Sequence, residues 1–262
     1  MPQPVYVGLD MGASRTKVAV ISVERRLLGY SIKKSGTDFG VTAATCLDLS
    51  LGMAGLGNGD IVRAIATGYG RNNVSFITGS TKTEIGCIAK GCYHVFPMAI
   101  TIIDIGGQDN KIIRLDAAGR RGGFRMNRKC AAGTGAFLEE MANRLDLPLD
   151  ELDNLARQAT EMIRLGSYCT VFSATEVLEH IRKGTRVPDI VKGIFYSVIK
   201  RVVEMETLTD QVVMTGGVVG NNPYIVEMAG ELIGRPVLLP DQPQLAGAIG
   251  AALYALEGEQ HG

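Results

Sequence analysis

Tryptophan is absent from this chain of 262 residues, and phenylalanine, tyrosine and tryptophan together supply only 6% of it. Glycine is abundant instead, with 33 residues, and this balance fits a loop-rich α/β nucleotide-binding protein better than a β-sandwich. Net charge is also missing, because 27 basic and 27 acidic residues cancel. The composition therefore does not indicate a nucleic acid or an anionic membrane as a partner.

Long apolar runs are missing as well. No stretch approaches the roughly 18 to 20 apolar residues of a membrane-spanning helix. The amino terminus lacks a basic region followed by an apolar core, which is the pattern of a secretory signal. We therefore expect a cytoplasmic protein that does not enter a membrane. With 46% hydrophobic residues, the chain has enough apolar surface for a sizeable core, and its length allows one or two domains.

Cysteine is scarce, and the five residues show no Cys-x-x-Cys spacing. Disulfides are not expected in a cytoplasmic chain, so each thiol needs a reason in packing or in chemistry. Cys46, Cys87 and Cys92 lie among apolar or small residues. We predict that these three thiols are buried and structural.

Cys130 and Cys169 differ from the other three because each precedes a predicted helix, spanning 136–145 and 174–183. The positive end of a helix dipole stabilises a thiolate, which suits a metal or iron–sulfur ligand. Two cysteines do not complete a four-thiolate site, but two subunits that each contribute both would complete it on a two-fold axis. The alternative is a pair of buried or redox-silent thiols.

One motif, Asp-x-Gly-x-x-x-x-Lys, occurs twice, from Asp10 to Lys17 and from Asp104 to Lys111. Each copy follows a short, apolar, β-branched run that is typical of a buried strand. Glycine at such a bend lets backbone N–H groups approach an anion closely. A carboxylate beside a phosphate needs a divalent cation between them, so the motif predicts phosphate turns that hold Mg²⁺. The alternative is two ordinary β-turns.

A third glycine turn, 214–217, also follows an apolar run. Together the three turns outline a nucleotide held between two lobes. This arrangement resembles the actin, Hsp70 and sugar-kinase superfamily. The resemblance implies that the small-residue helices at 83–91 and 245–255 cross at the hinge between the lobes, and plain close packing is the alternative. The resemblance implies an α/β, two-lobed, duplicated RNase H-like fold with the nucleotide cleft between the lobes. The expected first lobe is 1–97 joined by helix 245–257, and the second is 98–244, which carries the two cysteine-bearing segments.

Within this superfamily the chain is similar to the ATP-dependent iron–sulfur activators of 2-hydroxyacyl-CoA dehydratases and to the ATPase subunits of benzoyl-CoA reductase. The similar segments run almost from end to end and are more specific together than any single glycine motif. They are 9–17, 66–71, 103–109, 130–135, 214–217 and 247–252.

The resemblance implies that ATP binding and hydrolysis, with Mg²⁺, drive a low-potential electron into a partner enzyme. It implies one [4Fe-4S] cluster per dimer, held by Cys130 and Cys169. The dimer would be a homodimer or a pseudo-symmetric heterodimer with a homologous subunit. The partner would be the iron–sulfur component of an acyl-CoA dehydratase or reductase, and the electron donor a ferredoxin or a flavodoxin.

Roles within the site follow from the matched motifs. Asp10 and Asp104 would hold Mg²⁺, and Gln108 would orient the attacking water, although a surface polar residue is the alternative. The family usually has serine where this chain has Ala13, so the backbone must suffice there. The expected phosphate contacts are Gly12, Ala13, Ser14, Arg15, Thr16, Lys17, Gly106 and Gly107. The expected nucleoside contacts are Gly216, Gly217, Asn221 and Gln244.

Two other classes of protein stay open. A small-molecule kinase of the same superfamily would use a carboxylate such as Asp109 as base for a substrate hydroxyl. A nucleotide-gated protein would carry a structural metal, with zinc in place of iron, at the same cysteines. The basic run 120–129 abuts Cys130, where it would tune the cluster or dock a partner, and a solvated surface is the alternative.

Overall fold

The computed structural model of the chain describes residues 4–127, 129–167 and 169–258. Arg128 of the predicted basic run lies outside them. In chain order the strands are β1 (Val5–Met11), β2 (Arg15–Ser22), β3 (Leu27–Lys34), β4 (Ile61–Thr67), β5 (Ser80–Thr81), β6 (Ile100–Ile105), β7 (Asn110–Leu115), β8 (Arg121–Asn127), β9 (Gln211–Thr215) and β10 (Val237–Leu238). The helices are α1 (Phe39–Ala54), α2 (Glu84–Val95), α3 (Gly135–Leu145), α4 (Leu152–Arg157), α5 (Thr170–Arg182), α6 (Val187–Val203), α7 (Gly217–Asn221), α8 (Tyr224–Ile233) and α9 (Ala246–Glu257).

The chain divides into two compact units. Unit 1 comprises 1–98, 115–121 and 244–262, and unit 2 comprises 99–114 and 122–243. Unit 1 carries a five-stranded sheet in the order β3-β2-β1-β4-β5. The pairs β1–β2 and β2–β3 are antiparallel, whereas β1–β4 and β4–β5 are parallel. Helix α1 packs against β2 and β3, and α9 packs against β1 and α2.

Unit 2 carries a second five-stranded sheet in the order β10-β9-β6-β7-β8, in which β6, β9 and β10 run parallel. All six residues of β6 are buried, as expected for a β-branched central strand. The hydrophobic core of this unit contains Phe137 from α3 and Phe195 from α6. No helix among the described residues combines the length and apolar character that a bilayer span requires.

The two sheets have the same plan. Each has a central strand that begins the unit, its chain successors on one side, and two parallel strands on the other. The aspartate of the repeated motif lies on the central strand, β1 or β6, and the lysine lies on the next strand, β2 or β7. The predicted duplicated α/β fold is therefore confirmed.

Local signals explain the ends of two helices in unit 1. Asp38 accepts a hydrogen bond from Val41 N and begins α1, and Gly55 ends it in the left-handed conformation. Thr83 begins α2 in the same way through Gly86 N. Helices α2 and α9 cross at backbone contact, because a side chain at Gly91 or Gly250 would overlap a carbonyl of the other helix.

One predicted boundary was wrong in a way that matters for the site. The helix predicted at 174–183 begins at Thr170, with Cys169 as its N-cap. Val171 and Phe172 are exposed, so they interrupt the amphipathic pattern from which the start was inferred. The hydrogen bond from Ser173 N to Cys169 O, at 2.8 Å, closes the first turn.

Candidate functional site

The first Asp-x-Gly turn lies at the end of β1. Asp10 is 5% exposed and is paired with Lys17 across the β1–β2 ladder. Lys17 Nζ donates to Asp10 Oδ2 at 2.9 Å. Asp10 Oδ1 is buried without a hydrogen-bond partner. A buried carboxylate oxygen in this condition is costly unless a donor or a cation satisfies it. This chemistry suits a hard divalent cation such as Mg²⁺.

Two glycines keep the surroundings of Asp10 open. Gly68 has φ +85°, and a Cβ there would lie 2.7 Å from Asp10 Oδ1. A Cβ at Gly247 on α9 would lie 3.1 Å from Asp10 Oδ2. Any larger residue at either position would press on the carboxylate. The sequence pattern singled out both segments for their resemblance but did not connect them with Asp10.

The predicted phosphate turn between β1 and β2 is held by Ser35. The Ser35 hydroxyl donates to Gly12 O at 2.6 Å, and Ser35 N donates to Ser14 O at 3.1 Å. Thr16 is buried, and its hydroxyl lies 3.1 Å from Ser35 Oγ. Because the Ser35 proton is used on Gly12, Thr16 is the donor in that pair. Ala13 is exposed, and Arg15 is half-buried at the start of β2.

The second Asp-x-Gly turn contains a buried lysine. Lys111 is 1% exposed, and its Nζ lies 3.3 Å from Asp104 Oδ2 and 2.6 Å from Asp109 Oδ1. Two carboxylates and one ammonium leave this trio with one net negative charge. Gly106 N donates to Asp109 O at 2.9 Å and closes the turn. Gln108 is exposed within it.

The third turn lies beside the second. Asp104 on β6 is in register with Thr215 on β9, so the two strands end at the same edge of the sheet. Gly216 has φ +102°, and a Cβ there would overlap the Ile105 carbonyl. The exposed Asn221 donates through Nδ2 to Gly217 O at 2.6 Å. The structure therefore brings together the predicted glycines of both turns in unit 2, which are Gly106, Gly107, Gly216 and Gly217.

Gln244, the remaining predicted nucleoside contact, follows these turns in the chain. It is half-buried and lies in the short 3₁₀ helix Pro243–Leu245, directly before α9. Gly216 N donates to Pro243 O at 3.0 Å, which ties the third turn to the residue that precedes Gln244.

The duplication extends to a feature that the sequence analysis missed. Asp10 is in register with Thr67 on β4, as Asp104 is with Thr215 on β9. A glycine with positive φ follows each threonine. Both threonines are buried and donate to a carbonyl, Lys82 O for Thr67 and Pro243 O for Thr215. The repeated Thr-Gly dipeptide was the available signal, but the intervening lengths differ and hide it.

The segment that begins with Cys130 is attached to the second turn. Gly135 N donates to Gly106 O at 2.9 Å, and Ala136 N donates to Gly107 O at 2.8 Å. These are the first residues of α3, so the helix starts on the turn. Asn110, which is 1% exposed, donates through Nδ2 to Gly133 O at 3.1 Å.

The five cysteines fall into two groups. Cys46, Cys87 and Cys92 are buried, as predicted. Burial raises the pKa of Cys87 to about 12 and also raises the pKa of Cys46. Cys130 and Cys169 are exposed thiols, one before α3 and one at the N-cap of α5. The described residues contain no group of three or more His, Cys, Asp or Glu side chains arranged to hold a metal ion.

Residues 7–255 match the BadF/BadG/BcrA/BcrD ATPase family. The chain is 41% identical over 257 residues to the "Activator of lactoyl-CoA dehydratase" of Anaerotignum propionicum, covering 97% of this chain and 98% of that one. It is 40% identical over 255 residues to the "2-hydroxyisocaproyl-CoA dehydratase activator" of Clostridioides difficile, covering 96% and 94%.

Among solved structures, the activator of the 2-hydroxyisocaproyl-CoA dehydratase from Clostridium difficile with bound ADPNP superposes with a TM-score of 0.90. The two chains are 38% identical, and the match covers 97% of this chain and 94% of the other. Family match, sequence identity and fold agree over nearly the whole length. This chain belongs to the BadF/BadG/BcrA/BcrD ATPase family.

Proposed function

We propose that this ATPase is a low-potential electron donor that uses ATP hydrolysis to activate a 2-hydroxyacyl-CoA dehydratase. The observation that carries the proposal is the attachment of the Cys130 segment to the second glycine turn. The hydrogen bonds from Gly135 and Ala136 to Gly106 and Gly107 join the predicted phosphate turn to the start of α3, and only the short turn 131–134 separates α3 from Cys130, the predicted cluster ligand. A change in the turn on nucleotide binding therefore displaces the start of α3.

ATP would be held by the glycine turns and by Mg²⁺. Asp10 Oδ1 needs a partner, and the trio around Lys111 keeps one negative charge, so both carboxylate sites favour the cation. Gly12, Ser14 and Lys17 of the first turn, and Gly106 and Gly107 of the second, would supply the phosphate contacts. Asn221 and Gln244 would contact the nucleoside. Gln108 is exposed in the turn and would orient the attacking water by hydrogen bonding.

Cys130 and Cys169 would hold one [4Fe-4S] cluster per dimer. The donor set fits, because both thiols are exposed and cysteine sulfur is the usual ligand of iron–sulfur clusters. Two thiols per chain require a second chain to reach four ligands. When bound, the cluster supplies the one-electron transfer. ATP biases that transfer only if it binds two conformations of the protein differently.

The relatives support an acyl-CoA dehydratase as the partner enzyme. Both named relatives are activators of acyl-CoA dehydratases, which favours a dehydratase over benzoyl-CoA reductase as the electron acceptor. We propose a homodimer, or a heterodimer with a homologous chain, that accepts electrons from a ferredoxin or flavodoxin in the cytoplasm. The predicted lobes, 1–97 with 245–257 and 98–244, would be the moving parts.

The test is anaerobic purification followed by the visible spectrum and the iron content. A brown protein with about four irons per dimer and absorption near about 400 nm that dithionite bleaches is expected. Cys130→Ala should lose the iron but keep nucleotide binding, whereas the buried Cys46→Ala should keep both. A Cys130→Ala protein that retains the full iron content would disprove the assignment.

A small-molecule kinase would give the opposite result for colour and iron content. A colourless, air-stable protein whose ATP consumption depends on an added sugar or alcohol would support it. The geometry is less favourable to it, since Lys111 engages the carboxylate of Asp109 at 2.6 Å, and Asp109 is the expected base. Zinc in place of iron on metal analysis would indicate the structural-metal alternative.

A further inference from the structure

Arg201 is a half-buried arginine near the end of α6 that none of the motifs includes. Its Nη2 donates to Ser167 O at 2.6 Å and to Ser173 Oγ at 3.2 Å. Its Nη1 donates to Ser197 Oγ, one helical turn earlier on α6. The planar fork of the guanidinium thus holds the loop before α5 and the first turn of α5 against α6.

The other side of Arg201 faces the Cys130 segment. Its guanidinium carbon lies 4.9 Å from the centre of the Phe137 ring on α3, within the range of a cation–π contact. A Cβ at Gly133 would lie 3.5 Å from Arg201 Cβ. The same side chain therefore lies beside Gly133, three residues after Cys130, and hydrogen-bonds to Ser167, two residues before Cys169.

Hydrogen bonds of Ser167 link Arg201 to Cys169. Its carbonyl accepts hydrogen bonds from Arg201 and from the Ser173 hydroxyl, the latter at 3.0 Å. Its hydroxyl accepts from Cys169 N at 3.2 Å. Its own N–H donates to Glu176 Oε1 at 2.8 Å. With donors and acceptors used on every side, Ser167 is held in one orientation, and the backbone of Cys169 follows it.

We propose that Arg201 is a positioning residue that fixes the Cys130 and Cys169 segments relative to each other. The inference rests on the proposed function for the ligand role of the two thiols. The contacts of Arg201 with α3, α5, α6 and Ser167, which we call the brace, are a property of the metal-free chain. The brace continues the path from the second glycine turn. Gly106 and Gly107 hold the start of α3. Helix α3 and Gly133 in turn lie beside Arg201, and Arg201 holds Ser167 next to Cys169.

The first test uses the metal-free protein and needs no cluster. Hydrogen exchange is compared for peptides covering 129–136 and 164–173 in wild type, Arg201→Met and Arg201→Lys. Both variants should exchange faster in both peptides, because lysine keeps the charge but loses the fork and the stacking. Two controls separate the brace from general stability. Arg144→Met removes an exposed pair with Glu140 on α3, and Ile199→Val weakens the buried core of α6.

The second test uses the anaerobically loaded protein. An iron chelator should remove iron from Arg201→Met at least about tenfold faster than from wild type, the usual effect of losing a residue that orients metal ligands. Ile199→Val should lower the unfolding temperature without this acceleration. If Arg201→Met matches wild type in both exchange and iron release, the positioning role is refuted. If wild type holds no iron, the proposed function fails. The exchange experiment still shows whether Arg201 fixes the two segments in the metal-free protein.

Discussion

The carboxylate of Asp189 holds the backbone at 160–161, where the segment that leads to Cys169 begins. It is buried at the first turn of α6, and Oδ1 accepts hydrogen bonds from Glu161 N at 3.0 Å and Thr160 N at 2.8 Å. These backbone donors, that of Glu161 foremost, hold the pKa of Asp189 below its ordinary value. The ionised form therefore stabilises the folded state, and this contribution is lost on acidification.

We predict that Asp189→Asn lowers the free energy of unfolding at about pH 7 and that the deficit shrinks in acid. A depressed folded-state pKa contributes stability above the unfolded value of about 3.9 and loses it as the pH falls towards the folded value. Urea unfolding of both proteins at about pH 7 and about pH 3 measures this. The exposed Asp150→Asn is the control, and a deficit that does not change with pH would contradict the prediction.

The five thiols should react in two classes. Cys130 and Cys169 are exposed, whereas Cys87 is buried with its pKa raised to about 12. A thiol that is both inaccessible and protonated is a poor nucleophile. Native metal-free protein treated with iodoacetamide should therefore be alkylated first at Cys130 and Cys169. Mass spectrometry gives the order, and labelling of Cys87 at a similar rate without unfolding would show that the burial is wrong.

Single residues were predictable where a short motif carries them. Asp10, Asp104 and Cys130 lie in such motifs, and the structure puts each at a turn or before a helix. Ser35 and Arg201 were not predictable, because their partners are distant in the chain. Arg201 contacts Ser167 across 34 residues, and no local pattern encodes that pairing.

Helix α3 connects the second glycine turn with the Cys130 segment, and its first residue, Gly135, must be small. A Cβ at Gly135 would lie 3.0 Å from Gly107 Cα and 3.3 Å from Val218 Cγ2. The backbone of the turn cannot move without breaking the hydrogen bonds to Gly106 and Gly107. The start of α3 is therefore a sensitive point of the second glycine turn.

We expect Gly135→Ala to separate α3 from the turn at a cost of about 1–3 kcal/mol, the usual range for overpacking. The ATPase rate and the iron content should both fall, because the variant affects the turn and the Cys130 segment together. Gly122→Ala, in β8 with open space around its Cβ position, is the control. Wild-type ATPase activity together with unchanged stability in Gly135→Ala would exclude the coupling.

The sequence predicted four helices, at 83–91, 136–145, 174–183 and 245–255, and each observed helix begins and ends within four residues of these bounds. The start of α5 was missed because Val171 and Phe172 are exposed apolar residues that disguise the amphipathic pattern. The strands carrying Asp10 and Asp104 extend through the aspartates, since the ladders with β2, β4 and β9 continue past the apolar run. Pairing partners decide where a strand ends, and these come from elsewhere in the chain.

The Asp-x-Gly-x-x-x-x-Lys motif occurs once in each unit, and we expect both copies to contribute to MgATP binding. A ligand at one hundred times its Kd stabilises the folded state by about 2.7 kcal/mol. Asp10→Asn and Asp104→Asn should each lose most of the rise in Tm that MgATP produces in wild type. Each variant is compared with its own nucleotide-free Tm, so a general loss of stability does not count. An undiminished rise in either variant would exclude that carboxylate from the site.

The sequence alone determined the duplicated α/β plan, the glycine turns and the pair of cysteines set apart from the others. These features depend on short-range chemistry, namely a buried strand followed by a carboxylate and a glycine, or a thiol shortly before a helix. Tertiary structure decided the pairing of Lys111 with two carboxylates, the match between Thr67-Gly68 and Thr215-Gly216, and the contacts of Arg201. These features depend on residues that approach each other only after the sheet and helices have packed, when burial makes each polar partner obligatory.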